Sequence, residues 1–291
     1  MGWRIVVIKS KAKLDYKMDY LVVRTEEKTS RIHLSEISVL IIESTAVSLT
    51  AYLLVELSKK KVKVIFCDER CNPNSELCCL HGSYDTSRKV RQQINWDGET
   101  KKIVWSEIVK CKIKGQLSNV KEHYIEEREM LQGYLEAVEP GDVTNREGHA
   151  AKVYFNTLFG KDFSRGDDNI TNSALNYGYG ILLSAFNREI SASGYLTQLG
   201  IFHSNTFNQF NLSCDFMEPF RPFVDRLVLK LDLTKLDHNE KMKIVDILNQ
   251  KITINEQNHY IINAIHIYTM SVLEALEEND VSKIKNPSYE L

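Results

Sequence analysis

Three short segments of this chain carry side chains that could hold a hard metal ion. Asn145-Arg146-Glu147-Gly148 offers a carboxylate, and Leu199-Gly200-Ile201-Phe202-His203-Ser204-Asn205 offers an imidazole. Asp215-Phe216-Met217-Glu218-Pro219-Phe220-Arg221-Pro222 offers two more carboxylates. Together they make an oxygen- and nitrogen-rich donor set, which suits Mg²⁺ or Mn²⁺ better than a thiolate-seeking metal. An ion held this way could polarise a phosphodiester and offset the charge that develops during displacement.

Each segment also has a plainer reading. Thr144 follows Pro140-Gly141-Asp142 as a good N-cap, and Glu147 stands three residues on, at capping-box spacing, so it could simply bond the backbone of Thr144. Against this, a helix-borne carboxylate is held rigidly, as a ligand should be. Glycines and the Ser204-Asn205 end predict a short helix around His203 with tight turns at both ends, and a His beside Ile201 and Phe202 could equally be half-buried packing. His149 is a rival, but it sits two residues from Glu147 and so faces another way. Asp215 and Glu218, three apart, share a helix face that Arg221 and Asp225 continue, while Leu212, Phe216, Phe220, Phe223 and Leu227 face the core. Pro219 and Pro222 predict a kink or a restart there. The plain reading is a surface ion pair from Glu218 or Asp225 to Arg221.

The elements that must position these groups fall into two parts. Residues 1–80 read as β-rich. Strands are expected at Trp3–Ile8, across the alternating Leu14, Tyr16, Met18, Tyr20 and Val22, and at Ser30–Leu34, Ile37–Ile42 and Val62–Cys67. One helix is expected over Thr45–Lys60, and a turn at Asn72-Pro73-Asn74-Ser75. Residues 81–87 read as a linker. Residues 88–291 read as helical, with helices at Lys101–Ser118, Ile125–Val138, Thr144–Phe159, Ser173–Ile190, Cys214–Leu231, Glu240–Gln250 and Tyr260–Glu278, and an extended piece at Lys251–Asn255. The fold class is therefore α+β, a small β-rich N-terminal domain followed by a larger all-α domain that carries all three segments.

Composition narrows the partners. With 291 residues, 43% hydrophobic content and a formal net charge of -2, the chain can bury real cores but is not a basic DNA-coating protein. Local charge is different: Arg88 to Lys114 holds eight Lys or Arg against three acids, and Arg146, Lys152, Lys161 and Arg165 gather near Glu147. Such residues could contact phosphates without reading sequence. Six cysteines stand at 67, 71, 78, 79, 111 and 214. Cys67, Cys71, Cys78 and Cys79 with His81 fit no common zinc spacing, and reduced thiols are expected over a structural zinc. No targeting segment or membrane-length apolar run is visible, so a cytoplasmic protein without membrane association is expected.

The Glu147 segment, Gly194-Tyr195-Leu196 leading to Leu199-Gly200 and His203, and the Asp215-to-Asp225 segment resemble, in order and separation, the integrase/endonuclease family of CRISPR adaptation. Leu175-Asn176-Tyr177-Gly178-Tyr179-Gly180 looks like its central helix, and the Glu-Pro-Phe-Arg-Pro form looks like the type II, subtype A version. The resemblance spans essentially the whole chain. It implies that Glu147, His203 and Glu218 are the metal ligands and catalytic residues, for Mg²⁺ or Mn²⁺, with Asp215 a supporting acid. Relatives often have Asp at the position of Glu218, which leaves the choice of metal open.

The resemblance also implies transesterification, in which 3′-hydroxyl ends of captured double-stranded DNA join a repeat array. It implies a homodimer, for which the β-rich domain could supply a sheet. Two such dimers would be bridged by a small ferredoxin-like partner into a heterohexamer, with a ring-forming DNA-end-binding protein and an RNA-guided effector nuclease as further partners. Arg146, Lys152 and Arg221 are the expected DNA contacts. A stand-alone nuclease using water, or a non-catalytic DNA-binding scaffold, are the rival readings.

Overall fold

The computed structural model describes residues 4–77, 85–231 and 233–289. The fold is α+β, and the chain divides into two compact units: Met1–Tyr84 with Ser191–Ser193, and Asp85–Ile190 with Gly194–Leu291.

Among the described residues, the first unit has eight strands and one α-helix. These are β1 (Arg4–Ile8), β2 (Ala12–Lys17), β3 (Tyr20–Arg24), β4 (Thr29–His33), β5 (Ile37–Ile42), β6 (Val47–Leu49), α1 (Ala51–Lys59), β7 (Lys63–Cys67) and β8 (Pro73–Leu77). One sheet runs β1-β5-β7-β8 and the other β4-β3-β2-β6. Every residue of β5 is buried, as expected of a strand with parallel neighbours on both sides and both faces covered. Val6, Leu14, Leu21, Leu40, Leu53, Leu57 and Val64 join in one core cluster.

Three expectations change here. The alternating stretch from Leu14 to Val22 is two strands, not one, joined at Met18 and Asp19, both at positive φ. That is the conformation a tight two-residue hairpin turn requires, and a two-residue turn leaves the alternation unbroken. The helix expected from Thr45 begins only at Ala51. Val47–Leu49 pair with β2 instead, and the Thr50 hydroxyl caps the helix by accepting from Leu53 N–H at 3.3 Å. The turn expected at Asn72–Ser75 starts four residues earlier, at Asp68, whose carboxylate accepts from Arg70 and Asn72 N–H. Pro73 opens β8, an edge strand, where a missing N–H is tolerated.

The second unit is mostly helical: α2 (Thr86–Ile94), α3 (Gly98–Asn119), α4 (Ile125–Glu136), α5 (Arg146–Phe159), α6 (Ile170–Ala192), α7 (Asn211–Met217), α8 (Arg221–Leu229), α9 (His238–Val245) and α10 (Ile261–Glu278). Of the expected linker, 81–84 lie outside the described residues, and Thr86 opens α2. A small sheet interrupts the helices, so the unit is not all-α: β9 (Lys251–Ile254) pairs with β10 (Gln257–Tyr260) and with β11 (Pro287–Ser288). The long α3 is buried along Val104, Trp105, Ile108, Val109 and Ile113. Its start is fixed by Asp97, whose carboxylate accepts from Thr100 N–H at 2.7 Å. The single helix expected over Cys214–Leu231 is broken as its prolines require: a 3-10 turn, Glu218–Phe220, separates α7 from α8. Phe220 in that turn packs on Phe186 at 5.3 Å and on Tyr268 at 5.4 Å, which anchors the break in the core.

Candidate active site

The cluster is assembled from α3, the start of α5, the loop after α6 and the break between α7 and α8. Glu147 stands in the first turn of α5. The cap of that helix is not Thr144 but Asn145, which adopts the left-handed conformation (φ 50, ψ 47) and accepts from Gly148 N–H at 3.3 Å. Buried Asp142 satisfies the next two donors, accepting from Arg146 N–H at 2.8 Å and Glu147 N–H at 3.0 Å. The Glu147 carboxylate is thereby free of capping work, and it receives a hydrogen bond from Lys112 Nζ at 2.6 Å. The Lys112 charge beside it holds its carboxyl below the usual range, against the opposing effect of burial.

His203 lies on an irregular loop, not on the expected short helix. The loop is tied down from two sides. The Gln93 amide donates to the carbonyls of Leu196 and Leu199 and accepts from Leu196 N–H. Asp215, fully buried, accepts from the N–H groups of Ile201 (2.7 Å), Phe202 (3.1 Å) and His203 (3.1 Å). The same carboxylate lies 2.5 Å from His203 Nδ1. A buried carboxylate at that distance fixes the proton on Nδ1 and leaves the lone pair on Nε2, the tautomer a metal ligand needs. The hydrogen bond to Asp215 raises the pKa of His203, with burial opposing. Phe202 stacks flat on Trp105 at 4.2 Å. Gly200 has no room for a side chain, since a Cβ there would stand 2.3 Å from the His203 carbonyl oxygen.

Glu218 is buried in the 3-10 turn between two cations. Its Oε1 is 3.1 Å from Arg221 and its Oε2 is 2.5 Å from Lys112 Nζ. The Lys112 contact is close but poorly directed, so Oε2 remains a buried acceptor without an aligned donor, and Arg221 Nε is buried without an acceptor. Burial pulls the Lys112 ammonium down, but the charges of Glu218 and Glu147 outweigh it and keep its pKa above the usual value.

Asp225 does not pair with Arg221. It accepts from Tyr154 Oη at 3.0 Å and from Tyr179 Oη, and burial pushes its pKa up to about 6. The acids of the third segment thus divide the work: Asp215 orients the loop, Glu218 faces the cations and Asp225 bonds two tyrosines.

Among the described residues, no three His, Cys, Asp or Glu side chains lie together as a ready metal cage. The Lys112 ammonium stands between Glu147 and Glu218. The charges of both acids act on His203, so the three expected ligands share one electrostatic neighbourhood. The donor set fits a divalent ion in chemistry. It has two carboxylates, one with an unsatisfied buried oxygen, and an imidazole with its lone pair turned away from Asp215.

The expected DNA contacts are more scattered. Arg146 is half-buried with Nε donating to Thr144 Oγ1 at 3.1 Å, Lys152 and Lys161 are exposed, and Arg221 is engaged by Glu218 and lies over the Tyr179 ring at 4.9 Å. Arg165 is structural, donating to Asn172 and Asn176. Beside His203 a cleft is lined by Gln93, Lys101, Gln198, Asn205 and the fully exposed Phe207. Of the residues weighed for zinc, Cys78, Cys79 and His81 lie outside the described residues, while Cys67 is a buried and Cys71 a half-buried free thiol. No helix among the described residues is long and apolar enough to cross a membrane.

The fold and the cluster define an α+β protein whose candidate reactive groups all sit in its helical unit, and comparison with known proteins gives that class a name. Residues 5–246 match the family model of the CRISPR associated protein Cas1, and the chain belongs to that family. It is 31% identical to the CRISPR-associated endonuclease Cas1 of Neisseria meningitidis serogroup C (strain 8013), over 99% of this chain and 96% of that one. Two solved structures share its fold. A casposase bound to an integration product has a TM-score of 0.77 at 18% identity, over 96% of this chain and 91% of that one. A chain of a Cas6-RT-Cas1–Cas2 complex has a TM-score of 0.75 at 15% identity, over 100% of this chain and 36% of that one.

Proposed function

We propose that this chain is a metal-dependent DNA integrase and endonuclease of CRISPR adaptation. It joins 3′-hydroxyl ends of captured double-stranded DNA into the repeat array by transesterification. The observation that supports this reading is that two acids and a histidine share one electrostatic neighbourhood in forms suited to ligation. Glu147 is not a capping residue, His203 is held in one tautomer with Nε2 open, and Glu218, though paired with Arg221, is buried with Oε2 turned to the same Lys112 ammonium as Glu147.

Glu147, Glu218 and His203 Nε2 would hold Mg²⁺ or Mn²⁺, which when bound supplies Lewis acidity toward a phosphodiester oxygen. The chain's own residues do the positioning. Asp215 keeps the proton on Nδ1, Arg221 and the 3-10 turn fix the direction of Glu218, and Asn145 and Asp142 fix the start of α5. The attacking 3′-oxygen forms a bond to phosphorus as the bond to the repeat strand's own 3′-oxygen breaks, and the attacking hydroxyl's proton ends on the leaving oxygen. One phosphodiester replaces another, so no external energy source is required, and catalysis is positioning and electrostatics.

The partners belong to the same reading, and the occurrence of a similar fold in a complex with Cas2 supports a protein partner. They are DNA, a second copy through the β-rich region 1–80, and a small ferredoxin-like protein bridging two dimers into a heterohexamer. A ring-forming DNA-end-binding protein and an RNA-guided effector nuclease would complete the set. A strand-transfer assay tests the function, using a short duplex with 3′-hydroxyl ends and a supercoiled repeat plasmid, with and without the small partner. Joining that needs the 3′-hydroxyl, the metal and Glu147 is expected. Nicking without joining would replace the integrase with a nuclease that uses water, and DNA binding unaffected by Glu147→Ala without any product would point to a scaffold.

A further inference from the structure

Lys112 belongs to none of the three segments, yet it occupies their centre. It lies on the buried side of α3, with its side chain 7% exposed and Nζ 2.6 Å from Glu147 and 2.5 Å from Glu218. Two carboxylates within contact of one nitrogen repel each other when that nitrogen's charge is removed. Arg221 cannot replace it, because Arg221 reaches Glu218 alone, on the other oxygen.

We propose that Lys112 is a built-in stand-in for the divalent ion. Its ammonium bridges Glu147 and Glu218 in the metal-free protein, leaves them when Mg²⁺ or Mn²⁺ binds, and then turns to the phosphate of bound DNA. The inference rests on the metal reading of Glu147, His203 and Glu218. A divalent ion takes carboxylate oxygens at about 2.1 Å, so ion and ammonium cannot both keep these oxygens without a severe like-charge contact. The lysine stem is flexible enough to swing, and a buried ammonium that loses its acceptors needs another anion. In this site that anion is a phosphodiester, and the exchange couples metal entry to DNA capture. Lys112 is thus a positioning residue with a phosphate-binding second task.

The test is Mn²⁺ titration calorimetry on the full chain after EDTA treatment, with thermal melts in EDTA and in Mn²⁺, for wild type, Lys112→Met, Lys112→Arg and Glu147→Ala. Lys112→Met is expected to bind Mn²⁺ at least ~10-fold more tightly than wild type, because the competing charge is gone. It should melt lower in EDTA and gain more on adding Mn²⁺. Lys112→Arg, with a charged fork that grips carboxylates, is expected to bind Mn²⁺ more weakly than wild type. Opposite shifts in the two variants are the signature, since a merely structural ion pair would lower stability without them.

Equal or weaker binding by Lys112→Met would overturn the proposal, as would shifts in the same direction. So would a Lys112→Met chain that folds in neither EDTA nor Mn²⁺. No Mn²⁺ binding to wild type, or equal binding to wild type and Glu147→Ala, would refute the metal reading itself and this inference with it. In Mn²⁺, the log–log salt slope of duplex binding should fall by about 0.9 in Lys112→Met, and an unchanged slope would refute the phosphate role.

Discussion

Asp215→Asn is the sharpest probe of how the site is held. The carboxylate has two oxygens with two partners each: Oδ2 serves Ile201 and Phe202 N–H, and Oδ1 serves His203 N–H and Nδ1. Asparagine can keep its oxygen on the first pair. Its amide nitrogen then faces the second pair, where it has only donors to offer. The bond to His203 N–H is lost, and a charge-assisted hydrogen bond of this kind contributes about 2 kcal/mol. For a unit of this size that lowers the melting temperature by ~4–8 °C. The bond to the ring survives only if the imidazole reverses its tautomer, with Nδ1 accepting and the proton on Nε2. Stability is thereby partly rescued while the lone pair a metal needs disappears, and the expected fall in Mn²⁺ affinity is about 10–100-fold. Calorimetry with Mn²⁺, thermal melts and imidazole nitrogen shifts on the same samples would check each step. Wild-type affinity in Asp215→Asn, or the stability loss without any loss of affinity, would refute the reasoning.

Further expectations concern acid and space. Because Asp225 titrates near pH 6 against 3.8 when exposed, its neutral form stabilises the fold below pH 3.8, and that stability is lost as pH rises through about 6. About two units correspond to ~3 kcal/mol, so the melting temperature of wild type should carry a downward contribution between pH 4 and 6 that Asp225→Asn lacks. If both proteins share one profile, Asp225 is not the group. His203 has its pKa raised from 6.5, and only its neutral ring can ligate. Mn²⁺ affinity should therefore begin to fall above pH 6.5 on acidification, and His203→Ala should show weak binding without that step. Gly200→Ala forces a Cβ against the His203 carbonyl and should destabilise by about 1–3 kcal/mol; melting at the wild-type temperature would show that the loop yields.

Much of this was legible in the sequence, for physical reasons that can be named. Strands such as Ile37–Ile42 and helices such as Ile261–Glu278 are long, apolar and periodic, so their patterns survive tertiary packing. The turn at Met18-Asp19 escaped because neither residue is glycine and the alternation runs through it. Val47 and Leu49 fit a strand as well as the helix they precede, and only pairing with β2 decides between them. At the site, residue types were readable but their bonds were not. Thr144 has the chemistry of a cap, yet Asn145 takes the role because it tolerates a left-handed backbone. Lys112 was hidden among the basic residues of α3. One signal was available: it stands four residues after Ile108 and three after Val109, on the apolar stripe, where a charge needs a partner.

The spacing of the cluster along the chain has a consequence for how the molecule matures. Lys112 and Glu147 are 35 residues apart, Tyr154 and Asp225 are 71 apart, and the loop of His203 is pinned by an acid 12 residues downstream. Each of these contacts exists only once the chain has met the entropy of closing the loop between its ends. Until then each acid remains in water, where it costs nothing, and no pair of candidate ligands faces a common point. A half-folded copy of this chain therefore has the same residues but no site. For a protein proposed to cut and join DNA, that is a safeguard written into topology: the power to break a strand arrives only with the finished fold.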